Sequence, residues 1–156
     1  ALGLFQQGRL AEAQPVELRG ARVSADYFKV FGVQAALGRT FAPGEDQPGR
    51  DQVVVITHGL WASRFGSDPS VINSTIVLNG KPHTIIGVLP KGLKYPGLNV
   101  PLEGAEVWIP FVPLPNEQVR SFANVRVVGK LKAGVTLQKA QAEMNVIAAR
   151  LAQQYP

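Results

Sequence analysis

The chain has 156 residues, of which 46% are hydrophobic and 17% are charged. A chain of this length and composition folds as one globular domain, which excludes disorder of the whole chain. It has no cysteine, so disulfide frameworks, thiol nucleophiles and thiolate metal sites are excluded. The net charge of +5 comes from basic residues scattered between Arg9 and Arg150, which favours a solvated basic surface over a nucleic-acid footprint.

No apolar run reaches the roughly 18 to 20 residues that a membrane helix needs. Residues 1–7 lack both an initiating Met and a basic leader segment. We therefore expect this sequence to be a soluble fragment of a longer protein.

The N-terminal region begins with residues 16–23, where apolar and polar residues alternate as in a strand with one wet face. Ser24 then has the character of an N-cap for a short helix over residues 25–31, and Gly32 suits the left-handed position that ends it. Three aromatic residues of this helix are predicted to fill the core, with a ligand platform as the rarer alternative. They are Tyr27, Phe28 and Phe31.

Residues 37–49 are rich in turn formers and predict a surface loop. The adjacent acids Glu45 and Asp46 could act in acid–base chemistry or hold a hard cation, but calcium loops need several oxygen donors at alternating positions. Solvated loop charges are the favoured interpretation. Residues 53–56 then predict a short buried strand, followed by a helix that Thr57 caps and Gly66 ends.

The strongest local signal is the dipeptide Asn79-Gly80, which lies between two apolar runs that together cover residues 75–88. Asn-Gly readily supplies the two positive φ angles of a type I′ turn, so these residues predict a β-hairpin. Both runs are apolar at nearly every position, which predicts that both faces of the hairpin are covered.

The region 90–115 is rich in proline and predicts a long, irregular, exposed loop, where we expect a contact surface. Within it, residues 107–112 could form a strand only at a sheet edge, because proline cannot donate to a ladder.

The C-terminal region predicts a strand over residues 123–131 with one basic, wet face, a tight turn, and a helix that Thr136 caps. Apolar residues recur in this helix at helical spacing and predict a stripe that packs on a sheet. They are Leu137, Ala140, Met144, Ile147, Ala148 and Leu151.

A search for chemistry finds no phosphate-binding glycine loop, nucleophile elbow or metalloprotease motif. His58 is better explained as a first-turn helix residue and His83 as a strand residue than as zinc or triad groups. We therefore predict no catalytic, cofactor-binding or metal-binding residue and a non-catalytic α+β domain. Two alternatives stay open: a free-standing small-molecule-binding module, which needs a deep apolar pocket, and a hydrolase, which needs a histidine beside an acid or hydroxyl.

Several segments, in this order and spacing, resemble the MacB-like periplasmic core domain. The segments are residues 23–33, residues 37–41 with Glu45 and Asp46, Leu60-Trp61 with residues 64–66, the hairpin 78–88, residues 107–110, and residues 129–136 with 141–143. The resemblance covers the chain from about residue 16 to residue 156 and is carried by structural motifs, so it transfers no functional residue.

That family is the extracytoplasmic part of bacterial ABC transporter permeases, within the FtsX-like permease superfamily. The resemblance implies a periplasmic domain of an inner-membrane protein that couples ATP-driven membrane-helix movement to export or efflux and is not itself an enzyme. The implied partners are its own transmembrane helices, a cytoplasmic ATPase, and either a periplasmic adaptor or a second permease half; nucleic acid is not among them.

The resemblance also implies how the α+β fold is divided. We expect mixed or antiparallel sheets, a few short helices and one long C-terminal helix in a single core domain over residues 1–156. Residues 1–31 with 120–156 would form a membrane-proximal, porter-like lobe, and residues 32–119 a distal lobe. The transported substrate, the fusion state of the ATPase and the oligomeric state do not follow from the sequence.

Overall fold

A computed structural model describes residues 2–7, 16–93, 104–114 and 127–155. The chain divides into two compact units, Ala1–Ala123 (unit 1) and Asn124–Pro156 (unit 2). Unit 1 contains one mixed sheet with short helices, and unit 2 contains one long helix. The predicted α+β class, with its mixed sheet, short helices and long C-terminal helix, is confirmed.

The strands of unit 1 are β1 Leu2–Gln7, β2 Val16–Val23, β3 Leu37–Gly38, β4 Val53–Ile56, β5 Thr75–Leu78, β6 Lys81–Val88 and β7 Val107–Pro110. Its helices are α1 Tyr27–Val30 and α2 His58–Phe65, with a 3-10 turn at Pro69–Val71. The helix of unit 2 is α3 Leu137–Gln154.

The sheet closes on itself. Its order is β3-β6-β4-β7-β2-β1-β5, and β5 also pairs with β6, so six strands form a ring to which the short β3 is added. The pairs β2–β7 and β4–β6 are parallel, and the other pairs are antiparallel. Closure removes most of the open edge at which strands of other chains could add.

Two apolar clusters cover the two faces of this sheet. Neighbouring residues along a strand belong to different clusters, as Val54 and Val55 in β4 and Ile85 and Ile86 in β6 show. Successive side chains in a strand point to opposite faces, so each cluster lies on one face. Helix α2 contributes Leu60 to one cluster, and helix α1 contributes Phe28 to the other.

The hairpin forms as predicted. Asn79 and Gly80 have φ angles of 51° and 77°, the two positive values that the turn requires. The prediction that both faces of the hairpin are covered is confirmed for the second half of β6, where residues 85–88 are all buried. In β5 it does not hold, because Thr75 is exposed and Val77 is only half-buried.

The prediction of an edge position for residues 107–112 is wrong. Strand β7 lies between β2 and β4 and is mostly buried. Pro110 comes after the two residues that pair with β4, Val107 and Trp108, and its own partner is Val23 of β2. The backbone N–H of Phe111 then donates to the carbonyl of Val23. The exposed loop predicted around this strand is therefore partly core, while residues 94–103 and 115 of that prediction lie outside the described residues.

The N-terminal signals are only partly right. Strand β2 forms over the predicted residues, but it buries side chains on both faces and not on one. Leu18 belongs to one cluster, and Ala21 and Val23 belong to the other. Helix α1 is shorter than predicted, and Asp26 rather than Ser24 holds the N-cap position. Gly32 follows the helix with the expected positive φ of 67°.

Residues 37–38 form strand β3 against β6, although turn formers predicted only a loop here. Two glycines permit the close approach of these backbones. A Cβ on Gly38, which has φ +71°, would lie 2.3 Å from the carbonyl oxygen of Ile86, and a Cβ on Gly87 would lie 2.1 Å from that of Arg39. Real Cβ atoms do not approach backbone oxygens so closely, so both positions require glycine.

The ends of the longer helices agree with the sequence. The Thr57 hydroxyl accepts from the Leu60 N–H, and Gly66 ends α2 in the left-handed conformation. In unit 2 the Thr136 hydroxyl accepts from the Lys139 N–H at the start of α3. The strand predicted over residues 123–131 is wrong for residues 127–131, which are not paired in a sheet, and residues 123–126 lie outside the described ranges.

Strands β1 and β2 pair with β5 and β7, so residues 2–7 and 16–23 share one sheet with strands between residues 53 and 110. The predicted grouping of residues 1–31 with 120–156 into a porter-like lobe, and of 32–119 into a distal lobe, stays a prediction.

Candidate interaction surfaces

The two histidines have the structural positions that the sequence predicts. His58 is the first residue of α2, and its ring lies edge-on to that of Trp61 with centroids 5.4 Å apart. His83 lies in β6, is 6% exposed, and places Nδ1 3.0 Å from the carbonyl oxygen of Lys81. Burial lowers the pKa of His83, against smaller opposing effects of the Lys81 carbonyl and the Asp51 charge.

The acidic pair has structural partners, so the interpretation as solvated loop charges is wrong. The Arg39 guanidinium donates two hydrogen bonds to the Glu45 carboxylate, with Nη2 2.6 Å from Oε1 and Nη1 2.9 Å from Oε2. Its Oε2 also accepts from the Ala42 N–H at 2.8 Å. Asp46 Oδ2 accepts from the N–H of Ala25, 21 residues earlier, at 3.0 Å.

The Glu45 side chain is only 13% exposed. Partial burial raises the pKa of Glu45, but the Arg39 and Ala42 hydrogen bonds and the charges of Arg39 and Arg50 together lower it below its ordinary value. Three hydrogen bonds hold the Glu45 carboxylate in its charged form, and they fix the conformation of the loop over residues 39–46. It is poorly suited to acid–base catalysis, which needs a pKa near the working pH.

Of the three aromatic residues predicted to fill the core, Phe28 does so, whereas Tyr27 and Phe31 are only partly buried. The Tyr27 ring stacks on Trp108 with centroids 5.5 Å apart, and Phe28 lies edge-on to the same indole at 5.8 Å. Phe28 and Trp108 are fully buried, and burial raises the pKa of Tyr27 to about 12. Phe31 is half-buried and tilts against Tyr27. These contacts favour packing over a ligand platform.

Among the described residues, no three or more His, Cys, Asp or Glu side chains are grouped so as to hold a metal ion. None of the helices in the described ranges is both long and apolar enough to cross a membrane.

The exposed apolar side chains are concentrated in unit 2. Of the large hydrophobic residues that are exposed in the described ranges, all but Leu114 lie between residues 127 and 155. No residue of α3 is buried, and the predicted stripe includes Leu137 at 74% exposure and Met144 at 59%. Unit 2 therefore contains the main candidate interaction surface of the described chain.

The positive charge is concentrated in the same unit. Residues 124–156 contain five basic residues, Arg126, Lys130, Lys132, Lys139 and Arg150, against the single acid Glu143. Unit 2 thus carries +4 of the net charge of +5 of the chain. The basic residues are spread along the sequence, as predicted, but the excess of basic over acidic residues lies almost wholly in unit 2.

Known proteins resemble the chain over most of its length. The sequence model of the MacB-like periplasmic core domain matches residues 4–147. The "Macrolide export ATP-binding/permease protein MacB" of Shigella dysenteriae is 33% identical over 89 residues, which are 57% of this chain and 13% of that protein. The protein of the same name from Salmonella paratyphi A is 28% identical over 125 residues, 79% of this chain and 18% of that protein.

A solved structure has the same fold. The periplasmic region of MacB from Actinobacillus actinomycetemcomitans superposes with a TM-score of 0.66 at 17% identity. The match covers 97% of this chain and 63% of that one. The chain thus spans less than a fifth of the two curated relatives and under two thirds of the solved periplasmic region.

Proposed function

The chain belongs to the MacB-like periplasmic core domain family, and on this basis we propose that it is the extracytoplasmic domain of a bacterial ABC transporter permease. The family match over most of the chain carries this proposal. In this role the domain is not an enzyme, and it lies on the periplasmic side of the inner membrane.

The contacts within unit 1 support a mechanical role. The sheet closes into a ring with an apolar cluster on each face, and the loop over residues 39–46 is tied by Glu45. A close-packed body of this kind moves as a rigid unit and transmits displacement. We propose that ATP-driven shifts of the membrane helices tilt the domain and that this movement is coupled to export.

The partners in this proposal are the transmembrane helices of the parent protein and a cytoplasmic ATPase, with a second permease half or a periplasmic adaptor completing the transporter. Two relatives are named for macrolide export and for an ATP-binding/permease architecture. A macrolide is therefore the first cargo to test. The membrane-proximal lobe of residues 1–31 with 120–156, and the distal lobe of 32–119, belong to the same proposal.

Location can be tested by labelling, because the chain has no cysteine of its own. A single Ser63→Cys substitution, at an exposed position of α2, is placed in the parent protein with other cysteines removed. A membrane-impermeant maleimide should label it in intact cells whose outer membrane has been made permeable. Leu60→Cys, buried at 2% exposure, is the matched control and should stay unlabelled. Labelling of Ser63→Cys only after lysis of the inner membrane would refute the proposed location.

Coupling is tested in proteoliposomes that contain the parent transporter. Replacement of residues 1–156 by a flexible linker should leave ATP hydrolysis measurable and abolish export of the macrolide. Wild-type export by the linker variant would contradict a role for the domain in transport.

A further inference from the structure

Asn79 and Gly80 form the tip of the β5–β6 hairpin in unit 1. Both residues are exposed, and so are Lys81 and Pro82, which follow them. A Cβ built on Gly80 would meet no atom within 4 Å, so there is open space beside the peptide bond that joins Asn79 to Gly80. Within the described ranges, the Gly80 N–H donates no hydrogen bond to another backbone group. The backbone nitrogen that follows Asn79 is therefore uncrowded and unengaged.

An asparagine side chain can react with a nitrogen in this position. The Gly80 nitrogen, after losing its proton, attacks Cγ of Asn79, closes a succinimide ring and expels the side-chain nitrogen as ammonia. Water then opens the ring. Opening at Cγ gives aspartate in a normal backbone, whereas opening at the backbone carbonyl carbon gives isoaspartate, whose backbone is longer by one methylene. The net reaction consumes one water and releases one ammonia, with no change of oxidation state.

We propose that Asn79 is a site of spontaneous covalent modification, at which the domain converts to aspartyl and isoaspartyl forms. Glycine permits the attack because it has no Cβ to crowd the nitrogen. Ring closure requires the backbone to rotate out of the turn, and an exposed hairpin tip opens locally at little cost compared with the core. Because residues 79–82 are exposed, this opening does not require the buried residues 85–88 of β6 to move. The chemistry does not depend on the proposed function.

Asn73 provides a contrast within the same unit. It is exposed and has a positive φ of 68°, as Asn79 has at 51°. The nitrogen that would attack its side chain is that of Ser74, whose N–H donates to the Val71 carbonyl at 3.1 Å. The Asn73 N–H donates to the Ile85 carbonyl at 2.8 Å, so the backbone is held on both sides of this side chain. Exposure and a positive φ are thus common to both asparagines, and the unengaged glycine nitrogen distinguishes Asn79.

Asn145 is the third asparagine of the described ranges, and it is also constrained. It lies within α3, and its side-chain oxygen accepts from the Gln141 amide at 2.9 Å. The β-branched Val146 follows it. A helical backbone and a branched neighbour both oppose ring closure, so we expect Asn145 to react slowly.

The two products should differ in their effect on the hairpin. Asp-Gly suits the same type I′ turn, so the aspartyl form should keep the pairing of Leu78 with Lys81. The longer backbone of the isoaspartyl form does not fit a two-residue turn and should disturb this pairing. Strand β5 contributes Ile76 and Leu78 to an apolar cluster, so we expect the isoaspartyl form to unfold at a lower urea concentration.

The test is incubation of the folded 156-residue chain at pH 8, followed by peptide mapping with mass spectrometry and enzymatic labelling of isoaspartate. Asn79 should convert at least about tenfold faster than Asn73 or Asn145, because reaction at either of those positions must first break a hydrogen bond. The rate at Asn79 should be lower at pH 6, since the attacking nitrogen must lose its proton.

Two variants separate the roles of the glycine and of the hydrogen bond. Gly80→Ala places a methyl group beside the attacking nitrogen and should slow conversion of Asn79. Alanine is strained at the φ of 77°, which favours opening of the turn, so a slower reaction can come only from the added methyl group. Ser74→Gly gives Asn73 a following glycine but keeps the N–H bond to Val71, so Asn73 in this variant should stay about fivefold or more slower than Asn79.

The proposal is overturned if Asn79 stays unmodified in the folded chain and reacts only in urea, or if Gly80→Ala reacts as fast as the wild type. Equal rates at Asn79 and at Asn73 of the Ser74→Gly variant would contradict the protective role of the hydrogen bond. Equal urea midpoints of the separated aspartyl and isoaspartyl forms would contradict the expected effect on the hairpin. Periplasmic labelling of Ser63→Cys is independent of these results, so failure of this proposal would leave the proposed function standing.

Discussion

Unit 1 and unit 2 differ in where their apolar side chains lie. Unit 1 buries them on both faces of a closed sheet, with Phe28, Val54 and Trp108 fully inaccessible. Unit 2 has an 18-residue helix of which no residue is buried. Unit 1 therefore contains its own source of stability. The described support of the helix of unit 2 is local and includes the Thr136 cap.

Gly87→Ala in unit 1 should destabilise the fold more than any other substitution considered below. The added Cβ would overlap the carbonyl oxygen of Arg39, so strands β3 and β6 could not keep their spacing. We expect a loss of at least about 4 kcal/mol in the free energy of unfolding, measured by urea denaturation. Gly129→Ala in unit 2 is the matched control, since its Cβ meets no atom within 4 Å. Equal free energies of unfolding for Gly87→Ala and Gly129→Ala would contradict the contrast between the two units.

The same residue type can be compared across the units. Leu60→Ala removes a side chain that is 2% exposed and should cost about 3 kcal/mol, because it leaves a cavity under α2. Leu137→Ala in α3 removes one that is 74% exposed and should change stability by less than about 0.5 kcal/mol. The two losses of stability are compared through the urea midpoints of the variants, with the slope of the unfolding free energy against urea concentration unchanged. A large cost at Leu137 would mean that unit 2 buries it.

A smaller effect is expected from Glu45→Gln, which breaks the bidentate pair with Arg39. The loss should be about 1.5 kcal/mol, limited by the half-exposed guanidinium. Asp26→Asn is the control, because its ion pair with Lys29 is long, at 4.0 Å, and both side chains are exposed. That variant should be nearly neutral, and a cost equal to that of Glu45→Gln would contradict a specific stabilising role of the Arg39–Glu45 pair.

The Glu45 contribution should also depend on pH in a defined direction. The folded pKa is lowered from the ordinary value of 4.5, so the stabilisation is complete above about pH 5.5. It is lost as the pH falls through 4.5 towards the lowered value. The stability difference between wild type and Glu45→Gln should therefore shrink on acidification, and a difference that grows would contradict the sign.

The smallest effect concerns His83, whose pKa is lowered by burial from 6.5. Protonation then favours the unfolded chain, so this residue leaves stability unchanged above about pH 7 and reduces it as the pH falls through 6.5. Urea unfolding at pH 8 and pH 5 should show a weaker pH dependence for His83→Leu than for wild type. An unchanged dependence would show that His83 does not contribute to it.

Signals that act over a few residues could be predicted from the sequence. Asn79-Gly80 determines its own turn through backbone conformation, and Thr57 and Thr136 cap helices through N–H groups three residues ahead. The ordered motifs also identified the family, and the local signals for strands and helices predicted the α+β class.

Contacts between distant residues could not be predicted in this way. The Asp46 carboxylate accepts from the Ala25 N–H, and nothing in the loop sequence indicates that partner. Strand β7 is interior because Pro110 comes after the residues that pair with β4, a register that proline content does not reveal. The concentration of charge in unit 2 became clear only once the chain had been divided into units.

Native-state hydrogen exchange of the 156-residue chain tests the contrast between the units most directly. Amides of β6 should exchange only through global unfolding, because the ring and both apolar clusters must open to expose them. Amides of α3 should exchange with protection at least about a hundredfold lower, since no residue of this helix is buried. Equal protection of α3 and β6, with the same dependence on denaturant, would show that α3 is packed as firmly as β6 and would contradict the contrast drawn from their burial.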